Sequence, residues 1–374
     1  MPRLIPRGFR HRLMATMAVL LSSYLPAQAA EMPSGWPWHG VSMDNLSSKP
    51  VDLKRYKAIL DIDTVRLQLK PAKLAKRRHL IPEQAWQKSL QWLDTMLDTC
   101  KKLKIRAIVN LSHFPIDPAY DPNPKIRVAQ YTPDFWNDAT KLDGVIDRVT
   151  KLAAHLKSRG EELAAIDIMS EPAVRDGPRL VAPEKWKPLM ERVMGVVRSE
   201  LPNVWVMISP PPQGRMTSFR NLEAFAESHI IYNAHMYMPS HFAAQGIGNK
   251  PLNVRYPGYV RGKHWDAAEL RRHMKPLREF QRKYQVPVMV GEFSAVRWAD
   301  GGEQYIKDLA DIFDSYGWSW LYFSATGWHG WNPDYNQHYP GKGGGWRQDY
   351  VGDQSVRWQT LRDIFGVKKG TAKP

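Results

Sequence analysis

The chain has 374 residues, 43% of them hydrophobic, one cysteine, and 53 Lys+Arg against 37 Asp+Glu for a formal net charge of +16. A single cysteine excludes a fold stapled by internal disulfides, and the apolar and aromatic content excludes disorder along the whole length. No run of about 18 uncharged apolar residues follows residue 30, which excludes a polytopic membrane protein, and the length suits two average domains or one large barrel.

The N-terminus reads as an address. Residues 1–12 hold Arg3, Arg7, Arg10 and Arg12 and no acid, residues 13–25 are mostly apolar, and Pro26 leads into Ala27-Gln28-Ala29-Ala30. This layout predicts a secretory signal over residues 1–30, cut after Ala29 or close by. Its apolar part is short for a bilayer span, so no stable membrane insertion is expected after cleavage. An uncleaved anchor is the alternative. Removing it takes away four arginines and no acid, so 53 Lys+Arg become 49 against 37 acids and the charge falls from +16 to +12. The expected location is periplasmic or secreted. With Cys100 alone the exported fold must do without a disulfide, and Cys100 reads as a small core hydrophobe in a helix.

Beyond residue 30, short apolar runs alternate with amphipathic segments. The strand-like runs are 39–43, 64–69, 106–113, 164–171, 204–210, 230–237, 287–293 and 318–325. Helix-like segments lie near 52–60, 83–103, 139–159, 184–201, 221–228, 266–284, 302–316 and 354–365, with Asp266 and Asp300 as expected N-caps. The 3.6 period is clearest in Ala85, Trp86, Leu90, Leu93, Leu97 and Cys100. Eight such units predict an α/β fold, a (β/α)8 TIM barrel in a single domain over 31–368, with 369–374 a frayed tail. The runner-up is an open doubly wound sheet, against which no glycine-rich loop follows the first strand.

The active face of a barrel lies at the C-terminal ends of its strands. There the sequence places Arg66, His113, Ser170-Glu171-Pro172, His235, Tyr237 and Glu292, with Trp328 and Trp331 beyond the eighth run. Acids at the ends of buried apolar strands are costly unless paired or functional. Two of them facing one cavity suit glycoside hydrolysis, in which one carboxyl protonates the leaving oxygen and another stands opposite. No HExxH motif or cysteine cluster implies a metal, and no cofactor is expected. A serine hydrolase is excluded because no G-x-S-x-G is present. No nucleic-acid-binding motif appears either.

These residues resemble glycoside hydrolase family 5, the cellulase-like retaining barrels. The resemblance rests on Ile168-Met169-Ser170-Glu171-Pro172, Val290-Gly291-Glu292-Phe293, His235-Met236-Tyr237, Arg66 and His113, and it spans nearly the whole exported chain. It implies Glu171 as general acid/base and Glu292 as nucleophile, with Arg66 orienting Glu292. It further implies that His113 contacts the sugar, that His235 and Tyr237 orient the two glutamates, and that an aromatic placed at Trp328 stacks on the sugar. The family has Asn-Glu-Pro where this chain has Ser170-Glu171-Pro172, so the contact of that asparagine with the sugar 2-hydroxyl falls to a shorter serine.

Charge and tryptophan refine the expected partner. The segment after the second strand (70–82) carries +5, that after the sixth (238–265) +4, that after the fifth (211–220) +2 and that after the third (114–138) −2. Most of the exported charge of +12 thus falls on the catalytic face, where it would concentrate an anionic polysaccharide. A solvated basic surface is the alternative. Trp36, Trp38, Trp298, Trp328, Trp331 and Trp346 suit sugar-stacking positions, whereas Trp86 and Trp92 read as core. The segment 326–353 reads as a loop that caps one side of the cleft. The resulting expectation is a monomeric, exported, retaining endo-glycosidase acting on a β-glucan or an acidic exopolysaccharide. A neutral β-1,4-glucanase or mannanase, a transglycosylase, and a polysaccharide-binding protein with catalysis weakened at Ser170 remain as alternatives.

Overall fold

The computed structural model describes residues 31–46, 52–112, 133–341 and 345–366. All eight expected strands form: β1 (His39–Asp44), β2 (Thr64–Leu69), β3 (Arg106–Leu111), β4 (Leu163–Ile168), β5 (Trp205–Ile208), β6 (Ile230–Met236), β7 (Val288–Phe293) and β8 (Ser319–Tyr322). Each pairs in parallel with the next, and β8 closes on β1 with His39 opposite Trp320 and Val41 opposite Tyr322. Closure excludes the open sheet and makes the chain a (β/α)8 barrel. β2, β6 and β7 are buried at every position, because side chains inside the barrel and helices outside cover both faces. Helix Pro82–Leu103 turns Ala85, Trp86, Leu90, Leu93, Leu97 and Cys100 inward, as its period demands. Burial pushes the Cys100 thiol up to about 12, so it stays a neutral core group.

Several local expectations are corrected. Residues 221–228 form no helix. Between β5 and β6 there is one 3-10 turn, Met216–Phe219, and the chain is then held by the Phe225 N–H donating to the Tyr232 hydroxyl at 2.8 Å. The segment after β2 is not all loop, since Pro71–Arg78 is helical with Pro71 at its start. Asp266 caps its helix as expected, accepting from the Glu269 N–H at 2.8 Å. Asp300 does not, and Gly301 takes the cap position at φ 83°, where a Cβ would lie 1.7 Å from the Tyr256 carbonyl oxygen. Two small hairpins, Val174–Asp176 with Arg179–Val181 and Gly258–Val260 with Lys263–Trp265, were not anticipated.

The barrel interior is layered, and the layers follow from the two-residue period of a strand. Trp38, Ile108, Ala165, Met207, Ile231, Met289 and Leu321 pack as one apolar layer toward the N-terminal ends. Trp38 plugs that end. Its indole donates to the Ser34 carbonyl at 2.9 Å, its backbone N–H donates to Ser319 Oγ at 2.6 Å, and Trp36 lies beside it at 5.3 Å. Both tryptophans therefore stand at the end opposite the strand C-termini, away from the catalytic face, contrary to the sugar-stacking expectation. Trp38→Ala is expected to lower stability by about 3–5 kcal/mol, measured by urea unfolding at neutral pH. Two residues further along their strands, Asn110, Asp167 and Asn233 replace the apolar layer with a fully buried polar one, which Arg66 joins.

Candidate active site

The polar layer is the floor of a cavity at the C-terminal end of the barrel, and Arg66 is its centre. The guanidinium is fully buried and serves two carboxylates: Nη1 donates to Glu292 Oε1 at 2.8 Å, while Nε and Nη2 both reach Asp167 Oδ2 at 2.7 Å. Nη2 also donates to Ser170 Oγ at 3.1 Å. Two residues along β2, the Gln68 amide donates to the same Glu292 Oε1 at 3.1 Å. From β6 the Tyr237 hydroxyl donates to Glu292 Oε2, also at 3.1 Å.

Strict alternation along β7 would turn Glu292 away from this cavity, since Met289 already faces inward. A bulge corrects the direction: Val290 pairs with Ala234 and Glu292 with His235, so Gly291 is the extra residue. Only glycine fits there, because a Cβ would lie 2.5 Å from Asn233 Oδ1. The Gly291 N–H donates to that oxygen at 2.8 Å and fixes which way the Asn233 amide points. Asn233 Nδ2 then donates to Ser209 Oγ at 2.8 Å and faces His235 Nε2 at 3.3 Å. In its neutral form His235 accepts at Nε2 and carries its proton on Nδ1, 2.9 Å from Glu171 Oε1; when charged it donates from both nitrogens, and Nε2 lies 3.8 Å from Glu292 Oε1. Glu171 is presented by a distorted strand end, with Met169 at φ 66° and Glu171 itself at φ 56°. Left-handed backbone is unfavourable for both residue types, and such strain gathers at functional sites.

The electrostatics separate the groups. Burial opposes the charge of Glu292, but attraction to His235 and Arg66 and the hydrogen bond from Arg66 outweigh it and hold the carboxyl down at about 2. Burial also works against a charged His235, yet Glu292 and Glu171 raise its pKa. Tyr237 is pushed well above the usual phenol value by burial and by the two carboxylates, so it remains a donor. One oxygen of Glu171, one nitrogen of His235 and one oxygen of Glu292 lie within 4.8 Å of one another. Such a trio is also a set of metal donors, but the buried Arg66 charge against Glu292 opposes a cation there.

The site thus brings together Arg66, Ser170, Glu171, His235, Tyr237 and Glu292. His113 lies outside the described residues. Trp328 stands further out, its ring 5.1 Å from Trp331, which is itself 5.7 Å from Tyr237. Phe323 approaches the site more closely, 6.5 Å from Tyr237, at the end of β8. Residues missed in the sequence are Gln68, Asp167, Asn233 and the buried pair Asp44–Lys70, whose ions meet at 3.0 Å. Their signal was available, because polar residues interrupt apolar strands at period two. Of the basic residues after β6, Arg255 pairs with Asp300 at 2.7 Å and Lys263 with the buried Glu269. Helix Pro71–Arg78 carries no acid, and among the described residues its Lys76, Arg77 and Arg78 form no ion pair.

The model of the cellulase family, glycosyl hydrolase family 5, matches residues 30–328. Endoglucanase C of Acetivibrio thermocellus is 23% identical over 265 residues, covering 62% of this chain and 72% of that protein. Among solved structures, a hyperthermophilic endo-β-1,4-glucanase in complex with substrate superposes with a TM-score of 0.65 at 21% identity, covering 87% of this chain and 96% of that one. Subunit Z of the cellulose synthase of Clostridioides difficile gives 0.61 at 16% identity, with coverages of 88% and 99%. The family match spans most of the chain and both carboxylate-bearing strand ends, and the chain therefore belongs to glycosyl hydrolase family 5, the cellulase family of retaining glycoside hydrolases.

Proposed function

We propose that the protein is an exported, monomeric endo-glycanase that cuts internal β-glycosidic bonds of a β-glucan-like polysaccharide, with Glu292 as nucleophile and Glu171 as acid/base. The observation that carries this reading is the pair of carboxylates at two strand ends, with one oxygen of each within 4.8 Å of the other. Retaining enzymes place the two carboxyl groups about 5–5.5 Å apart, close enough for one to bond the anomeric carbon while the other protonates the leaving oxygen. Glu292, held ionised by Arg66 and His235, attacks that carbon. Glu171, oriented by His235 Nδ1 at 2.9 Å from its Oε1, supplies the proton for the leaving oxygen. Water then enters, Glu171 takes its proton, and the sugar–Glu292 ester is broken with the anomeric configuration retained. Arg66 and Tyr237 hold the nucleophile, and Ser170, His113 and Trp328 are assigned to the sugar.

The similarity to endoglucanases and to a cellulose synthase subunit supports a β-glucan backbone. The acid-free basic helix Pro71–Arg78 on the catalytic face supports a polymer that carries carboxylates. The first experiment measures new reducing ends from protein starting near Glu31 on paired neutral and carboxylated β-glucans, with Glu292→Gln as the blank. Activity on the carboxylated polymer is expected to exceed that on the neutral one and to fall about threefold or more between ~20 and ~300 mM salt, as screening of exposed charges requires. Equal activity on the two, unchanged by salt, would leave the charge a surface property. Export is tested by sequencing the N-terminus of the protein recovered outside the cytoplasm, where a start near Glu31 is expected.

A further inference from the structure

Arg66 has two edges, and Asp167 occupies one of them. Oδ2 of Asp167 receives Nε and Nη2 of Arg66 at 2.7 Å and Nδ2 of Asn110 at 2.9 Å, three donors on a single oxygen. Only an anionic oxygen suits that load. Its other oxygen, Oδ1, is buried without a partner among the described residues. An unpartnered oxygen on a fully buried acid is unfavourable, and packing alone gives no reason to keep it. Left to itself, a guanidinium beside a carboxylate forms a bidentate pair, two parallel N–H bonds that hold the anion tightly. Here the fork is filled from the Asp167 side, and Glu292 is left with Nη1 alone.

We propose that Asp167 is a positioning residue for the hydrolysis: it holds Arg66 by one edge, so that Glu292 receives a single guanidinium N–H and stays ionised yet nucleophilic. The proposal rests on the reading of Glu292 as the nucleophile. Without the Asp167 charge, the full positive charge of Arg66 turns to Glu292, and the tighter pair attacks more slowly. Because Asp167 acts through Arg66, its loss slows the attack of Glu292 and leaves sugar binding unchanged.

The test uses a probe that reports the nucleophile and not the acid. With 2-deoxy-2-fluoro-β-cellobiosyl fluoride, a Glu292 oxygen bonds C1, the C1–F bond breaks, and fluoride leaves with the electron pair and without a proton. The adduct is followed by mass in wild type, Glu292→Gln and Asp167→Asn, an isosteric change that removes the charge and keeps one acceptor oxygen. Asp167→Asn is expected to label about tenfold or more slowly at saturating probe, with the half-saturating probe concentration and the melting temperature unchanged. Labelling within twofold of wild type at saturating probe, or a loss confined to the half-saturating probe concentration, overturns the role. If Asp167→Asn does not fold, Asn110→Ala loosens Asp167 while keeping its charge. Slower labelling then supports the role, and unchanged labelling overturns it. A wild-type chain that takes no label overturns the nucleophile itself, a failure distinct from that of a labelled wild type with an indifferent Asp167→Asn.

Discussion

Glu292→Gln is expected to lower turnover on polysaccharide by on the order of 10⁴-fold or more, while the barrel stays folded. The amide keeps the shape of the carboxylate and its contacts with Gln68 and Tyr237, but it neither bears the charge that Arg66 stabilises nor bonds the anomeric carbon. Reducing-end release at saturating polymer, set beside the far-UV spectrum, decides the matter, and undiminished turnover would remove Glu292 from the mechanism. The same variant has a second signature in acid. In the folded chain the Glu292 carboxyl lies at about 2, against an ordinary 4.5. A carboxyl with a depressed folded pKa contributes stability that is full above its unfolded value and lost as the pH falls toward its folded one. The window therefore runs from about pH 4.5 down to about pH 2. Between pH 6 and pH 3 wild type is expected to lose on the order of 2 kcal/mol more than Glu292→Gln. Urea midpoints taken across that range measure the difference, and parallel curves would deny the buried Arg66–Glu292 attraction.

Glu171→Ala is expected to reduce turnover of polymer by about 10²–10⁴-fold, the range for losing a general acid. The loss should depend on the leaving group. An aryl glycoside whose phenol leaves without protonation still reacts with Glu292, so its first step survives and the covalent intermediate accumulates. Azide needs no general base and is expected to speed breakdown of that intermediate, giving a glycosyl azide of retained configuration. An equal loss on both substrates, with no effect of azide, would assign Glu171 a structural role. Together the two variants separate nucleophile from acid/base, which the distances alone do not.

Much of this architecture is legible in the order of residues. Each of the eight strands was placed to within three residues at either end, because a strand buried on both faces must be a short apolar run and its helix must repeat near 3.6. Glu171, Glu292, Arg66, His235 and Tyr237 stood out because a charged or polar group at the end of an apolar strand needs a reason. Where local sequence misled, a tertiary contact was responsible. Residues 221–228 look amphipathic, but the chain there is held against Tyr232 instead of forming a helix. Asp300 looks like a cap, but Gly301 must sit against the Tyr256 carbonyl, and no side chain fits in that space.

The sequence by itself determined the barrel, the carboxylate pair and the excess of positive charge, since each follows from residue type and spacing. Which way the site groups face was decided only by the tertiary structure. The bulge at Gly291 turns Glu292 inward against the alternation of its strand, and it exists because Asn233 fills the space beside it. The double use of Arg66 requires β2, β4 and β7 to converge on one point. The distribution of charge over the catalytic face was decided in the same way. Arg255 and Lys263 are balanced by Asp300 and Glu269, which the fold carries to them from other segments, whereas helix Pro71–Arg78 contains no acid of its own. Composition counts charges, but only the folded chain sets the distances between them, and at those distances Coulomb attraction decides which remain unbalanced.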